Sequence, residues 1–186
     1  MARSLFNRRG FADVSIDEIM ANAGLTRGGF YNHFATKEEL YAEVVRYALT
    51  CAAQERLPHV DPAAPPDTIA RELVCAYLSN DHLQDRERSC SLVTLASDVG
   101  RGGSAVRRAY QHVVESMVVV FARGMSADDA QARGRALAIT SLCVGSMVMS
   151  RAIDDESLTR DLLQAAEEAA LSLGGWDGDR SRVAAE

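Results

Sequence analysis

The residues from Thr26 to Lys37 read TRGGFYNHFATK, and they set a hydroxyl, a guanidinium, a phenol, an amide, an imidazole and an ammonium close together. Thr26, Arg27, Tyr31, Asn32, His33 and Lys37 are the kinds of group that bind phosphate oxygens and base edges. Between them stand two adjacent glycines, Gly28 and Gly29. Each costs about 0.5–1 kcal/mol relative to alanine in a helix. A helix that only builds a core has little reason to carry that cost. One pressed against a phosphate backbone or a base edge does, because a missing side chain lets the main chain come close. Lys37 is the only lysine in the chain. It falls in the first turn of a helix, where the macrodipole disfavours a cation, and an anion shared with the free amides of that turn would remove the conflict.

The flanking residues supply the elements that hold this stretch. Ser15 with Glu18 makes a capping box that opens one helix, with Ile16, Ile19, Met20 and Ala23 on one apolar face. Gly24 ends it. Thr26 caps a second helix with Phe30 facing inward, and Thr36 with Glu39 opens a third. Helix, glycine turn and helix is the helix-turn-helix plan, whose second helix enters the major groove.

The run TRGGFYNHFATKEEL resembles the DNA-binding signature of the TetR family of bacterial one-component transcription regulators. The resemblance covers roughly the first quarter of the chain. It implies an all-α fold, with an N-terminal three-helix helix-turn-helix head followed by a C-terminal helical ligand-binding and dimerisation core. It also implies that Arg27, Gly28 and Asn32 lie nearest base edges, that Ser15, Thr26, Tyr31, His33 and Lys37 hold the DNA backbone, and that Phe30 and Phe34 are core. With Gly29 these make up the expected DNA-contacting set. Met20 stands where the family usually has alanine, and methionine is flexible enough to fit. Residues 2–9 read as the end of a first helix, with Leu5 and Phe6 inward and Gly10 as its cap. The family's helix is about two turns longer, so the expectation is a truncated or misassigned start.

The divisions expected are a head over 1–46, a helical core over 47–174 and a polar tail over 175–186. The 186 residues suffice for one or two domains, and no uncharged apolar run is long enough to span a membrane. The start, MARSLFNRRGF, lacks a signal-peptide pattern, which points to the cytoplasm. The net charge is −6. Within residues 1–48, Arg3, Arg8, Arg9, Arg27, Lys37 and Arg46 are balanced by Asp13, Asp17, Glu18, Glu38, Glu39 and Glu43. DNA binding must therefore rest on where groups point, not on bulk attraction.

His33, His59, His82 and His112 are scattered and accompany no nucleophile elbow or metal motif. No catalytic residue, metal or cofactor is expected. Cys51, Cys75, Cys90 and Cys143 are too widely spaced for a zinc site; Cys51, Cys75 and Cys143 read as small buried residues. Cys90, with Arg86 and Arg88 near in sequence, is a candidate thiol or electrophile sensor.

Beyond the head, Lys37 to about Glu55 reads as a linking helix with Leu40, Val44, Tyr47, Ala48 and Cys51 on one side. LPHVDPAAPP holds all four prolines. Helices follow over about 68–79 (Ile69, Leu73, Ala76 and Tyr77 inward), 91–99, 105–123, 126–151 and 158–173, with NDHLQDRER as a polar connection. A ligand pocket among residues 68–123 would take Tyr77, Tyr110, Met117 and Phe121 as lining. Apolar residues at helical spacing build cores by default, so each of these is core before it is a ligand contact. Many small residues mark the last two helices, which the resemblance makes a four-helix homodimer interface. The function expected is a repressor released from a palindromic operator by a small molecule. The alternatives are the Cys90 sensor and a dimeric binding protein with an impaired head.

Overall fold

A computed structural model of the protein describes the backbone of residues 2–57, 59–86 and 89–177, and the side chains of these except 48–56. Among the described residues all regular structure is helical: α1 (Ala2–Arg9), α2 (Ile16–Asn22), α3 (Arg27–Phe30), α4 (Lys37–Arg56), α5 (Pro66–Tyr77), α6 (Asn80–Gln84), α7 (Ser91–Thr94), α8 (Ala96–Arg101), α9 (Ser104–Arg123), α10 (Ala132–Ser150) and α11 (Glu156–Gly174). They divide into two compact units, residues 1–54 with 84–114 and residues 55–83 with 115–186.

In the first unit, α1 buries Leu5 and Phe6 and ends at Gly10, whose φ of 78° needs glycine. Ser15 caps α2 as its spacing predicts, its hydroxyl accepting the Glu18 N–H at 3.1 Å. The reciprocal half of that box is not made, because the Glu18 carboxylate turns to Arg9. Ile19 and Met20 are buried, Ile16 is half-buried and Ala23 is exposed. The Thr36 box forms, with the Glu39 N–H on Thr36 Oγ1 at 3.1 Å and the Glu39 carboxylate accepting the Ala35 N–H at 2.8 Å.

The apolar side of α4 lies elsewhere than its spacing predicts. Tyr41, Ala42, Val44 and Val45 are buried, Leu40 is half-buried, and Tyr47 is 55% exposed. An aromatic cluster sets this rotation: the Tyr41 ring lies 5.0 Å from Phe6, edge on, and 4.8 Å from Phe11. The side chains of Ala48 and Cys51 lie outside the described residues.

Residues 84–114 are fastened to this head by polar contacts that no local pattern announces. The Asn7 amide donates to the Ser89 carbonyl at 3.1 Å and accepts the Thr94 hydroxyl at 2.9 Å. The Asp98 carboxylate accepts the Phe11 N–H at 2.7 Å. The helix expected over 91–99 is two pieces, α7 and α8, meeting at Leu95.

In the second unit, α5 starts with Pro66, which suits a first-turn position. It buries Ala70, Val74 and Tyr77, while Ile69, Leu73 and Ala76 are half-buried. The polar connection after it contains α6, with His82 buried and its Nδ1 2.6 Å from the Tyr77 carbonyl. α10 begins at Ala132, not at Ser126. Asp129 holds the preceding turn instead, accepting the Gln131 N–H at 2.8 Å and pairing with Arg135. α10 packs against α11, and α10 buries Ala136, Ile139, Thr140, Cys143 and Met147 while α11 buries Leu163, Ala166 and Ala170. Val144 is half-buried and Val148 exposed. Asp155 caps α11, and Gly175 ends it at φ 72°. Trp176 folds back, its indole N–H donating to the Gly124 carbonyl at 2.9 Å and its ring 6.0 Å from Phe121. Residues 178–186 of the expected tail lie outside the described residues.

Candidate nucleic-acid interface

The interface is built from two helix starts and the turn between them. Ser15 fixes the start of α2 and Thr26 the start of α3, both with extended backbone (φ −90°, ψ 157° and φ −89°, ψ 154°). The Thr26 hydroxyl makes no capping bond, so the expected cap is one of position only. That leaves the hydroxyl able to serve an external oxygen. α3 is short: it ends at Phe30, and Tyr31, Asn32 and His33 follow in turns, tied back by the Phe34 N–H on the Phe30 carbonyl at 3.0 Å. Phe30 is buried, whereas Phe34, read as core, is half-buried with its ring 5.6 Å from Phe30. Tyr31 stands edge-on to Phe30 at 5.3 Å, which directs an otherwise exposed ring (53%). Thr26, Arg27, Gly28, Tyr31, Asn32 and His33 all lie exposed, in one continuous stretch.

The glycines give the sharpest observation. Neither Gly28 nor Gly29 has the positive φ that demands glycine. A Cβ at Gly28 would meet only Thr26 Oγ1, at 4.0 Å, and one at Gly29 would meet Met20 Cε at 3.6 Å and Thr26 Oγ1 at 3.8 Å. These are ordinary contacts. Among the described residues, none within 4 Å requires a glycine at either place.

Arg27 is exposed but engaged. Its guanidinium pairs with Asp17 at 2.9 Å, and Tyr31 first, then Asp17, push its pKa above its already high value by favouring the charged form. Lys37 is met from within the head. Its Nζ donates to the Phe11 carbonyl at 2.7 Å and the Val14 carbonyl at 2.8 Å, and lies 4.2 Å from the centre of the Phe11 ring. Two carbonyls and a ring face, not an anion, thus offset the unfavourable position of a cation in the first turn of α4. Two of the three ammonium donors are used in these contacts.

The other candidate residues are placed apart from this surface. Tyr110 is half-buried in the first unit, its hydroxyl donating to the Leu92 carbonyl at 3.0 Å; burial, with Cys90 adding, raises its pKa. Tyr77, Met117 and Phe121 are buried in the second unit. Tyr77 stands edge-on to His82, and Phe121 packs by Trp176. Cys90 is 6% exposed at the start of α7, which shields its thiol; Arg88 lies outside the described residues. Sequence reasoning passed over two residues. Asp17 was visible as a first-turn acid, but nothing local joined it to Arg27. Asp98, far along the chain, gave no signal of its contact with Phe11.

Comparison with known proteins agrees with this geometry. Residues 1–44 match the family model for bacterial regulatory proteins of the tetR family. The transposon Tn10 TetC protein of Escherichia coli is 44% identical over 48 residues, which are 26% of this chain and 24% of that protein. The HTH-type transcriptional regulator AcrR of Shigella flexneri is 29% identical over 94 residues, 47% of this chain and 41% of that protein. The chain thus matches well under half the length of these curated relatives. The fold likeness extends further. The reduced form of E. coli NemR superposes with a TM-score of 0.72 at 15% identity over 92% of both chains. AibR, solved with isovaleryl coenzyme A and operator DNA, gives 0.55 at 16% identity over 89% of this chain and 91% of that one. The head, residues 1–44, is thus matched in sequence to the tetR family of bacterial regulatory proteins, and the described helices share the fold of these solved structures.

Proposed function

We propose that the chain is a DNA-binding transcriptional regulator that reads a palindromic operator as a homodimer and is released from it as a repressor by a small molecule. The observation that carries the DNA-binding part is the pair of glycines at which a Cβ would make only ordinary contacts, set among exposed Thr26, Arg27, Tyr31, Asn32 and His33. A backbone without side chains at two successive positions, beside groups suited to phosphate and base edges, fits a surface pressed into a groove.

The dimer reading draws on the outer faces of α10 and α11. The small residues there divide between two sides. Ala136, Ser146, Ala166 and Ala170 are buried between elements of the chain, while Gly134, Ala138, Ala165 and Ala169 are exposed. Leu137 (42%), Val148 (43%), Met149 (49%) and Leu158 (53%) are exposed on the same two helices. An isologous contact through this face would cover them and pair two heads with two half-sites. Release follows from differential affinity: inverting occupancy from 1:99 to 99:1 takes about 5.5 kcal/mol in favour of the state that cannot bind DNA. AibR, which shares the fold, was solved with both a coenzyme A ester and operator DNA.

The test is fluorescence anisotropy of the purified chain against the DNA upstream of its own gene, with a scrambled duplex as control at physiological salt. Preferential binding that Tyr31→Ala removes is the expected result. Equal binding to both duplexes refutes the reading.

A further inference from the structure

We propose that Asp17 is a positioning residue for Arg27, and that the pair reads a guanine in each operator half-site. The proposal rests on the DNA-binding reading above and adds the base it selects. Asp17 lies in the first turn of α2 and Arg27 opens α3; the glycine turn between the helices brings Asp17 Oδ2 to 2.9 Å from Arg27 Nη1. Both side chains stay about 60% exposed (59% and 62%). Tyr31, four residues on, favours the charged form of the same guanidinium.

Two simpler roles for Asp17 are insufficient. An exposed ion pair contributes little to stability. A first-turn acid suits the dipole of α2, but Glu18 already stands there. Against these, a carboxylate beside a phosphate-facing surface repels DNA. An acid in that place is useful if it aims a cation. The long arginine side chain loses rotamer freedom when it docks on a base, and fixing it beforehand reduces that loss. The pair engages a single guanidinium nitrogen, so part of the five-donor fork stays free.

A donor-only fork selects guanine. Guanine presents two acceptors, N7 and O6, to the major groove. Adenine sets an N6 donor beside its N7, cytosine offers an N4 donor, and thymine a single acceptor next to a methyl group.

The experiment is selection of the full chain on a randomised duplex library, followed by anisotropy titrations in which each position of the selected site is changed to each other base. The wild type is expected to prefer guanine at one position per half-site by about 5- to 150-fold. Arg27→Ala should erase the preference at that position alone. Asp17→Asn should reduce it about two- to fivefold, and Asp17→Glu should recover part of the loss. Circular dichroism of each variant checks that the helices remain. A uniform rise in affinity for every sequence in Asp17→Asn, with base preference intact, overturns the proposal, because Asp17 would then act by charge alone. An unchanged preference in Arg27→Ala overturns it as well. A wild type that enriches no sequence refutes the DNA-binding reading itself, a different result from either.

Discussion

Gly28→Ala separates what the chain needs from what its partner needs. Among the described residues outside its own helix backbone and chain neighbours, the added methyl would meet only Thr26 Oγ1 within 4 Å, at 4.0 Å, and the backbone at Gly28 does not have the positive φ that would strain alanine. Inside the protein the substitution is therefore favourable, by about 0.4–1 kcal/mol through reduced freedom of the unfolded chain. For a chain of this size that raises the melting temperature by about 1–4 °C, at fixed protein concentration. At the DNA the sign reverses. A methyl group forced into a close contact costs about 1–3 kcal/mol, or roughly 5- to 150-fold in affinity for each head. A symmetric dimer meets the methyl twice, so the losses compound. The assay is a thermal melt paired with anisotropy on the preferred duplex. Higher stability with weaker binding is the expected signature. Unchanged binding would refute the argument that the glycines are kept for an external surface. Lower stability would show that Gly28 has an internal role that its surroundings do not reveal.

Three further outcomes follow from contacts elsewhere. Lys37→Met removes the ammonium from the carbonyls of Phe11 and Val14 while keeping an apolar chain beside the Phe11 ring; it should lower stability by about 1–3 kcal/mol in urea titration, and an unchanged midpoint would contradict a structural share for this lysine. In Gly174→Ala the new Cβ would collide with the Trp176 ring, which must move off Phe121; the emission of the chain's single tryptophan should shift to the red, and an unshifted spectrum would show that the ring is held otherwise. Burial, with Glu167 adding, pushes the Cys75 thiol up to about 11. Its neutral form is favoured in the fold, so the associated stability is intact below the unfolded value of about 8.5 and is lost as pH rises through about 11. Alkylation of the Cys75 peptide, followed by mass spectrometry, should still be accelerating near pH 10; a plateau at pH 9 would rule this out.

What could be read from the sequence divides by range. Ser15, Gly24 and Thr36 announce helix ends because capping is a contact among neighbours, and all three act there in the structure. Residues within one or two turns also placed Leu5, Phe6 and Phe30 inward. Faces were harder. In α4 an aromatic cluster with Phe6 and Phe11 brings Tyr41 inward and leaves Tyr47 outside, and in α5 the buried row falls on Ala70 and Val74 beside the half-buried Ile69 and Leu73. Periodicity gives a stripe, but the partner chooses which edge of it is covered. The start of α10 was misplaced for a related reason. Ser126 and Asp129 have the spacing of a capping box, yet Asp129 is taken by the Gln131 N–H and by Arg135. Long-range polar contacts such as Phe11 to Asp98 have no local signature at all.

The charge balance of the head has a structural counterpart that bears on how it can work. Its basic side chains do not form a bare cationic surface: Arg9 pairs with Glu18, Arg27 with Asp17 and Arg46 with Glu43, and Lys37 is spent largely on two carbonyls. Such a surface gains little from the sequence-independent attraction that dominates non-specific binding. Beside the paired Arg27, 62% exposed, stand exposed neutral donors (Ser15, Thr26, Tyr31 and Asn32) around the two glycines. Neutral donors reward only the registers in which their acceptors are in reach, because each one desolvated without a partner is penalised. On the proposed reading, a head built in this way would give up affinity for DNA in general and keep it for sites whose groove geometry fits.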